Sequence, residues 1–350
     1  MTTNPREGGR LRLDSGRDKK SVRPFIVAEV GVNHEGSFEK AKHLLKSAAQ
    51  AGADAVKFQT YSPARYASAS DPVRLERVTN FSLTHEEFES LSRIAADSDI
   101  EFFSTPLTED VVPLLSRICT RLKIASGDLT FEPVIRAAAQ MGKPIILSTG
   151  LGTIEEIDQA LEWIRGETGS DWLVRNVTLM QCVVAYPTPI EEANLLGIPF
   201  LRERYGLSVG YSNHVIGLDA CLAAVALGAE IIEVHFTDCK VNRDFRDHEM
   251  SFDEKDLQEF VVKSQLIYSA LGQYGKSRQD SEKPLLKIVR KGLVAARPLR
   301  KGSVIRRDDL MFARPATEFD SNELHLVVGQ TLLQDLNTGE LVPRAAVKNA

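Results

Sequence analysis

No unbroken apolar stretch of this chain approaches the roughly 20 residues that a membrane-spanning helix needs. Residues 1–22 lack the apolar run that a signal peptide needs, so no secretory leader is expected. The four cysteines, Cys119, Cys182, Cys221 and Cys239, form no CxxC pair, so a reducing, cytoplasmic setting is expected. Positive charge is in deficit, with 43 Lys and Arg against 48 Asp and Glu and a net of -5. Nucleic-acid binding leans on concentrated positive charge, so no nucleic-acid partner is expected, and no membrane. Basic residues crowd only into residues 1–22, where Arg6, Arg10, Arg12, Arg17, Lys19 and Lys20 alternate with small polar residues. Glu7, Asp14 and Asp18 dilute that charge, and the segment reads as a disordered tail rather than an arm that grips phosphate.

What the chain does have is alternation. From Phe25 onward, the β-branched runs FIVAEVGVN, AVKFQT, EFFSTP, RLKIAS, PIILSTG, VTLMQCVV, LSVGYSN and IIEVHFT are separated by amphipathic stretches such as FEKAKHLLKSAAQAGA and IEEIDQALEWIRG. Capping boxes at Thr84 with Glu87 and Thr153 with Glu156 mark helix starts. Strand and helix repeated eight times predict a (β/α)8 TIM barrel over residues 23–272. A doubly wound sheet would want a glycine-rich turn after its first strand, and GVNHEGS does not match GxGxxG. Residues 273–288 are polar and read as a linker. Residues 289–350, with short strands broken by glycine and proline, read as a small, mostly β domain. Two domains suit 350 residues, because one core rarely grows past roughly 250–300.

Alternate residues of a barrel strand face the lumen. Splitting each run by parity sends Ile26, Ala28, Val30 and Val32 to the helix layer. It sends Glu29, Gly31, Asn33, Lys57, Gln59, Ser104, Lys123, Ser148, Gln181, Ser212, His214, Glu233 and His235 inward. These sit near the carboxyl ends of the strands, where barrel enzymes keep their chemistry. Two inward lysines have two explanations: neutralisation by Glu29 and Glu233, or an anionic ligand held by ammonium groups and hydroxyls. His214 and His235, on adjacent strands, can converge on one divalent ion; the alternative is an imidazole satisfied by a carboxylate such as Glu233. His34 and His248 also fall in loops at this end, while His43 and His85 read as surface.

The ordered blocks AEVGVNHEGSFEKAKHLLKSAAQAGADAVKFQTY, FFSTPLTEDVV, KIASGDLTFEPVI, GKPIILSTGLGTIEEI, QCVVAYPTP, GYSNHVIGLDACLAAVALGAEIIEVHFT and DHEMSF resemble those of the N-acetylneuraminate (sialic acid) synthase family. The C-terminal module resembles the antifreeze-like, or SAF, domain that follows the barrel there. The resemblance implies condensation of phosphoenolpyruvate with the open-chain aldehyde of N-acetylmannosamine or a related amino sugar, such as a legionaminate- or pseudaminate-type precursor. It also implies a divalent manganese or magnesium ion and a domain-swapped homodimer. It assigns Lys57, Thr105, Lys123, Ser126, Ser148, Tyr186 and Ser212 to phosphoenolpyruvate, and His214 and His235 to the metal. Glu29, Asp128 and Asp247 would engage the sugar and handle protons, with Gln59 and Arg314 at the acceptor.

Two departures stand out. Val183 and Val184 replace polar residues that the family commonly has before the Tyr-Pro segment, and the loop NRDFRDHEM is more charged than its usual counterpart. Two rivals stay in view. One is a Schiff-base aldolase using Lys57 or Lys123, and the other, suggested by the two valines, is a non-catalytic relative that binds a saccharide or a partner protein.

Overall fold

The computed structural model describes residues 23–348, apart from Asn242, Asp244, Arg246 and Tyr274. The tail expected over residues 1–22 lies outside the described residues. The chain forms two compact units, one ending at Gly272 and the other beginning at Gln273.

In the first unit, eight parallel strands close into a barrel: β1 (Phe25–Gly31), β2 (Ala55–Thr60), β3 (Glu101–Pro106), β4 (Leu122–Ile124), β5 (Ile145–Ser148), β6 (Val177–Cys182), β7 (Ser208–Asn213) and β8 (Ile231–His235). These are the eight runs expected from the sequence. Both capping boxes form, each hydroxyl accepting from the N3 backbone N–H while the glutamate accepts from the cap residue's N–H. The core lies between strands and helices, with Ile26, Ala28, Val56, Phe58, Leu122 and Val209 fully buried there. No helix among the described residues is long and apolar enough to cross a membrane.

Parity reading fails at three places. The β1–β2 register shifts between Glu29 and Gly31, a bulge built on Gly31 at φ +55°. A Cβ there would stand 3.2 Å from Glu29 Oε1 and 3.3 Å from Gln59 Nε2, so only glycine leaves room for the bond between those two side chains. The bulge reverses the faces beyond it: Val32, expected against the helices, lines the barrel's cavity, and Asn33 does not. On β3, Thr105 shares the face of Lys57 and Gln59, whereas Ser104 turns outward to bond Thr60 Oγ1 at 2.7 Å. On β6, Cys182 faces the lumen, while Gln181 pairs in register with outward Tyr211 and donates to the Ala193 carbonyl at 3.4 Å.

The second unit has its own core of Leu293, Leu299, Ile305, Phe319, Val327, Leu332 and Val342. Strand β9 (Gly292–Ala295) pairs antiparallel with β10 (Leu310–Ala313), and isolated bridges such as Leu299 with Leu336 continue the β character. Within the stretch expected as a linker, Asp280–Leu285 forms a 3-10 segment and Leu286–Val289 a short helix.

Candidate active site at the carboxyl ends of the strands

A cavity of about 700 Å³ opens at this end of the barrel. Its floor is an ionic quartet. Lys57 Nζ stands 2.7 Å from Glu29 Oε2 and 3.7 Å from Glu233 Oε1, and it donates to Thr105 Oγ1 at 3.0 Å. Lys123 Nζ bonds both oxygens of Glu233, at 2.8 and 2.9 Å, and Ser212 Oγ donates to Glu233 Oε1 at 3.1 Å. All four ionic side chains are at most 5% exposed. Gln59 Nε2 donates to Glu29 Oε1 at 3.1 Å.

The acids therefore do neutralise the lysines, and the cavity remains open above them. The two carboxylates differ. Burial pushes Glu29 up to about 6 against the pull of Lys57. For Glu233, burial is outweighed by Lys123 and Lys57, which hold its carboxyl below the ordinary range. Burial pulls Lys123 down despite Glu233, while Lys57, set between two acids, is held up in spite of its burial.

Beside the quartet, the rings of His214 and His235 lie with centroids 5.3 Å apart, and Tyr186 stacks 4.2 Å from His214. His214 Nδ1 approaches the Val183 carbonyl at 2.6 Å, which fixes it as the N–H nitrogen and leaves the Nε2 lone pair free. His235 Nδ1 is buried with no hydrogen bond, and its nearest carboxylate oxygen is Asp247 Oδ2 at 3.7 Å. Glu233, the partner weighed for these imidazoles, directs its oxygens to Lys123 and Ser212 instead. Burial lowers His214 to about 4, and burial together with the neighbouring His214 holds His235 well below the ordinary imidazole value, so both rings are neutral at pH 7. An orphaned nitrogen and two neutral imidazoles from adjacent strands fit a divalent cation. Among the described residues, no three His, Cys, Asp or Glu side chains gather into a metal cage. A cation here would keep positions for water or substrate.

Of the residues named from sequence, Glu29, Lys57, Gln59, Thr105, Lys123, Ser126, Ser148, Tyr186, Ser212, His214, His235 and Asp247 all line this cavity. Asp128 does not. It sits in the 3-10 turn Ser126–Asp128, and burial raises its carboxyl to about 6. Arg314 is exposed in the second unit. His34 and His248 are buried away from the cavity, His34 accepting from Gly36 N and His248 bonding Thr237 Oγ1.

Sequence reasoning missed the outer wall, where Tyr61, Tyr66, Val78, Phe81 and Phe245 line the cavity. Tyr66 and Val78 come from two short helices, Pro63–Tyr66 and Pro72–Asn80, and Phe81 caps the second; the helix starts were legible as Ser62-Pro63 and Asp71-Pro72, a cap residue followed by proline. The two valines also separate: Val184 lines the cavity and Val183 lies outside it.

Comparison with known proteins gives this arrangement a family. Residues 44–276 match the NeuB family model and residues 290–348 the SAF domain model. The chain is 34% identical to N,N'-diacetyllegionaminic acid synthase of Campylobacter jejuni, over 91% of this chain and 98% of that protein. It is 32% identical to pseudaminic acid synthase of Campylobacter jejuni, over 94% and 98%. Among solved structures, the N-acetylneuraminic acid synthetase of Leptospira borgpetersenii, in complex with citrate, superposes with a TM-score of 0.70 at 32% identity, over 75% of this chain and 90% of that one. The chain belongs to the NeuB family and carries a SAF domain after its barrel.

Proposed function

We propose that this protein condenses phosphoenolpyruvate with an open-chain amino sugar of the N-acetylmannosamine type, yielding a nine-carbon 2-keto acid and phosphate. The observation that carries this reading is one cavity in which two ammonium groups, two carboxylates, two neutral imidazoles and a set of hydroxyls converge. Lys57 and Lys123, with Ser126, Ser148, Ser212, Thr105 and Tyr186, supply the charge-assisted donors that a carboxylate and a phosphate need. C3 of phosphoenolpyruvate attacks the aldehyde carbon, water adds at C2, and phosphate leaves. Glu29, poised near 6, is suited to exchange a proton near neutrality. Glu233 stays ionised and keeps the lysines charged. His214 and His235 would hold manganese or magnesium, which supplies Lewis acidity toward the aldehyde when bound. Asp247, across from His235, is placed to engage the sugar.

The wall sets Val32, Tyr61, Tyr66, Val78, Phe81 and Phe245 beside the charged Asp71, Arg74 and Arg77, which favours an acceptor that presents methyl groups next to polar ones. Together with the legionaminic and pseudaminic acid synthases among the relatives, it supports a second acetamido group on the sugar. The test is phosphate release from phosphoenolpyruvate and Mn2+ with a panel of mono- and diacetamido hexoses. Silence across the panel overturns the reading, and borohydride trapping of a lysine adduct would replace it with the aldolase.

A homodimer in which the partner's second unit supplies Arg314 belongs to the same reading. Charge supports it: residues 273–350 carry 14 Lys and Arg against 9 Asp and Glu, and residues 23–272 carry 23 against 36. Four free thiols suit a cytoplasmic setting.

Val184 gives a further prediction. It and Ser126 flank Gly150, where a Cβ would lie 2.7 Å from Ser126 Oγ and 2.7 Å from Val184 Cγ2. Val184→Ser adds a hydroxyl where valine offers none. A hydrogen bond to a charged group contributes about 1.5 kcal/mol or more, so the KM for phosphoenolpyruvate should fall about tenfold. An unchanged KM would place the phosphate elsewhere in the cavity.

A further inference from the structure

Asn33 has no place in the cavity, yet it is 1% exposed and its amide bridges more than 200 residues of sequence. Nδ2 donates to the Phe236 carbonyl at 2.9 Å and to Ser251 Oγ at 3.2 Å. Both partners lie next to groups of the site. Phe236 directly follows His235, and its N–H is bonded to the Glu29 carbonyl at 2.7 Å. Ser251 Oγ donates to the backbone carbonyl of Asp247 at 2.5 Å, closing the single helical turn Asp247–Met250. Phe252, next in the chain, returns to the His235 carbonyl at 2.7 Å, and Thr237 N–H bonds the Phe252 carbonyl at 2.9 Å. One amide from the turn after β1 therefore ties together the two backbone segments that carry His235 and Asp247.

We propose that Asn33 is a positioning residue for the cation-binding edge of the site, setting the distance between the His235 imidazole and the Asp247 carboxylate. The inference rests on the histidine pair being a metal site.

The physical argument is about stiffness. His235 is the last residue of β8, and Asp247 sits on one helical turn beyond it. A single turn is marginal alone, since helix nucleation costs more than one turn returns. The Asn33 amide supplies two bonds from the tight turn that follows β1, a turn held by Asn33 N–H to the Val30 carbonyl at 2.8 Å, and it can reach them because the bulge at Gly31 has turned it out of the lumen. Aspartate at this position would lose both donors and set a charge against the Phe236 carbonyl. Alanine would leave a buried carbonyl without its donor.

The test uses the full chain and Mn2+ alone, with free Mn2+ counted by electron paramagnetic resonance. Outer-shell partners of metal ligands typically set affinity by about 10–100-fold. Asn33→Ala should raise the Kd for Mn2+ by at least about tenfold in protein whose circular dichroism remains native. Ser251→Ala should raise it in the same direction, and the double variant should fall short of the product of the two effects. A Kd within twofold of wild type in both folded single variants overturns the proposal and leaves the histidine pair standing. If wild type itself binds no Mn2+, the metal reading falls and this inference falls with it. Should Asn33→Ala fail to fold, Ser251→Ala decides.

Discussion

Lys123→Met is expected to cost this protein about 3–5 kcal/mol of stability, because removing one partner of a buried pair strands the other as an uncompensated charge. Here the stranded group is Glu233, which accepts both its shortest ionic contacts from Lys123 and has Lys57 only at 3.7 Å. Turnover should fall by about 10²–10³ or more in the same variant, as when one preorganised donor is removed from a transition-state site. Loss of both properties at once would not say which one the lysine serves. The variant Lys123→Met with Glu233→Leu separates them. Replacing both members of a buried pair by apolar groups is often neutral for stability, so the midpoint of chemical denaturation should return toward wild type while turnover stays lost. Recovery of turnover in the double variant would reduce the quartet to an internal ion pair and remove the anion-binding role from Lys123.

That experiment bears on what the sequence could and could not disclose. Parity placed Glu29, Lys57, Lys123, Ser212, His214, Glu233 and His235 on one face correctly, because each alternates with residues that are buried against helices. It did not disclose that the lysines spend their charge on Glu29 and Glu233, since pairing depends on distances across the barrel rather than on spacing along a strand. The rule that polar side chains face inward failed where the interior is filled by apolar groups. Phe103 aligns with Lys57, Ile146 with Lys123 and Met180 with Ser148, so part of the lumen is packed like any core. Outward Ser104 and Gln181 meanwhile found partners in Thr60 and the Ala193 carbonyl. Ser104 and Thr105 are adjacent hydroxyls, and only the β2–β3 register distinguishes them. The bulge at Gly31 was equally silent, for a glycine at a strand end has several uses. Asn33 and Val32 exchanged faces as a result.

Replacing His235 by alanine should produce the opposite pattern to Lys123→Met: loss of cation binding with the fold intact. His235 is neutral, and its Nδ1 makes no hydrogen bond, so the change removes no ion pair and leaves no charge unpaired. The stability change should stay within the ordinary 0.5–3 kcal/mol of single substitutions, roughly. Affinity for Mn2+ should drop by two orders of magnitude or so, because two imidazoles are the only histidine donors lining the cavity among the described residues, and a site with one has little hold on a first-row cation. His214→Ala should behave alike, with one difference. It also frees the Val183 carbonyl from its 2.6 Å contact, so its thermal midpoint should be the lower of the two. Electron paramagnetic resonance of added Mn2+ alongside a thermal melt reads both quantities on the same samples. Undiminished Mn2+ binding in the doubly substituted protein would move the cation away from the histidines and leave Tyr186, stacked on His214, as the reason those rings are held where they are.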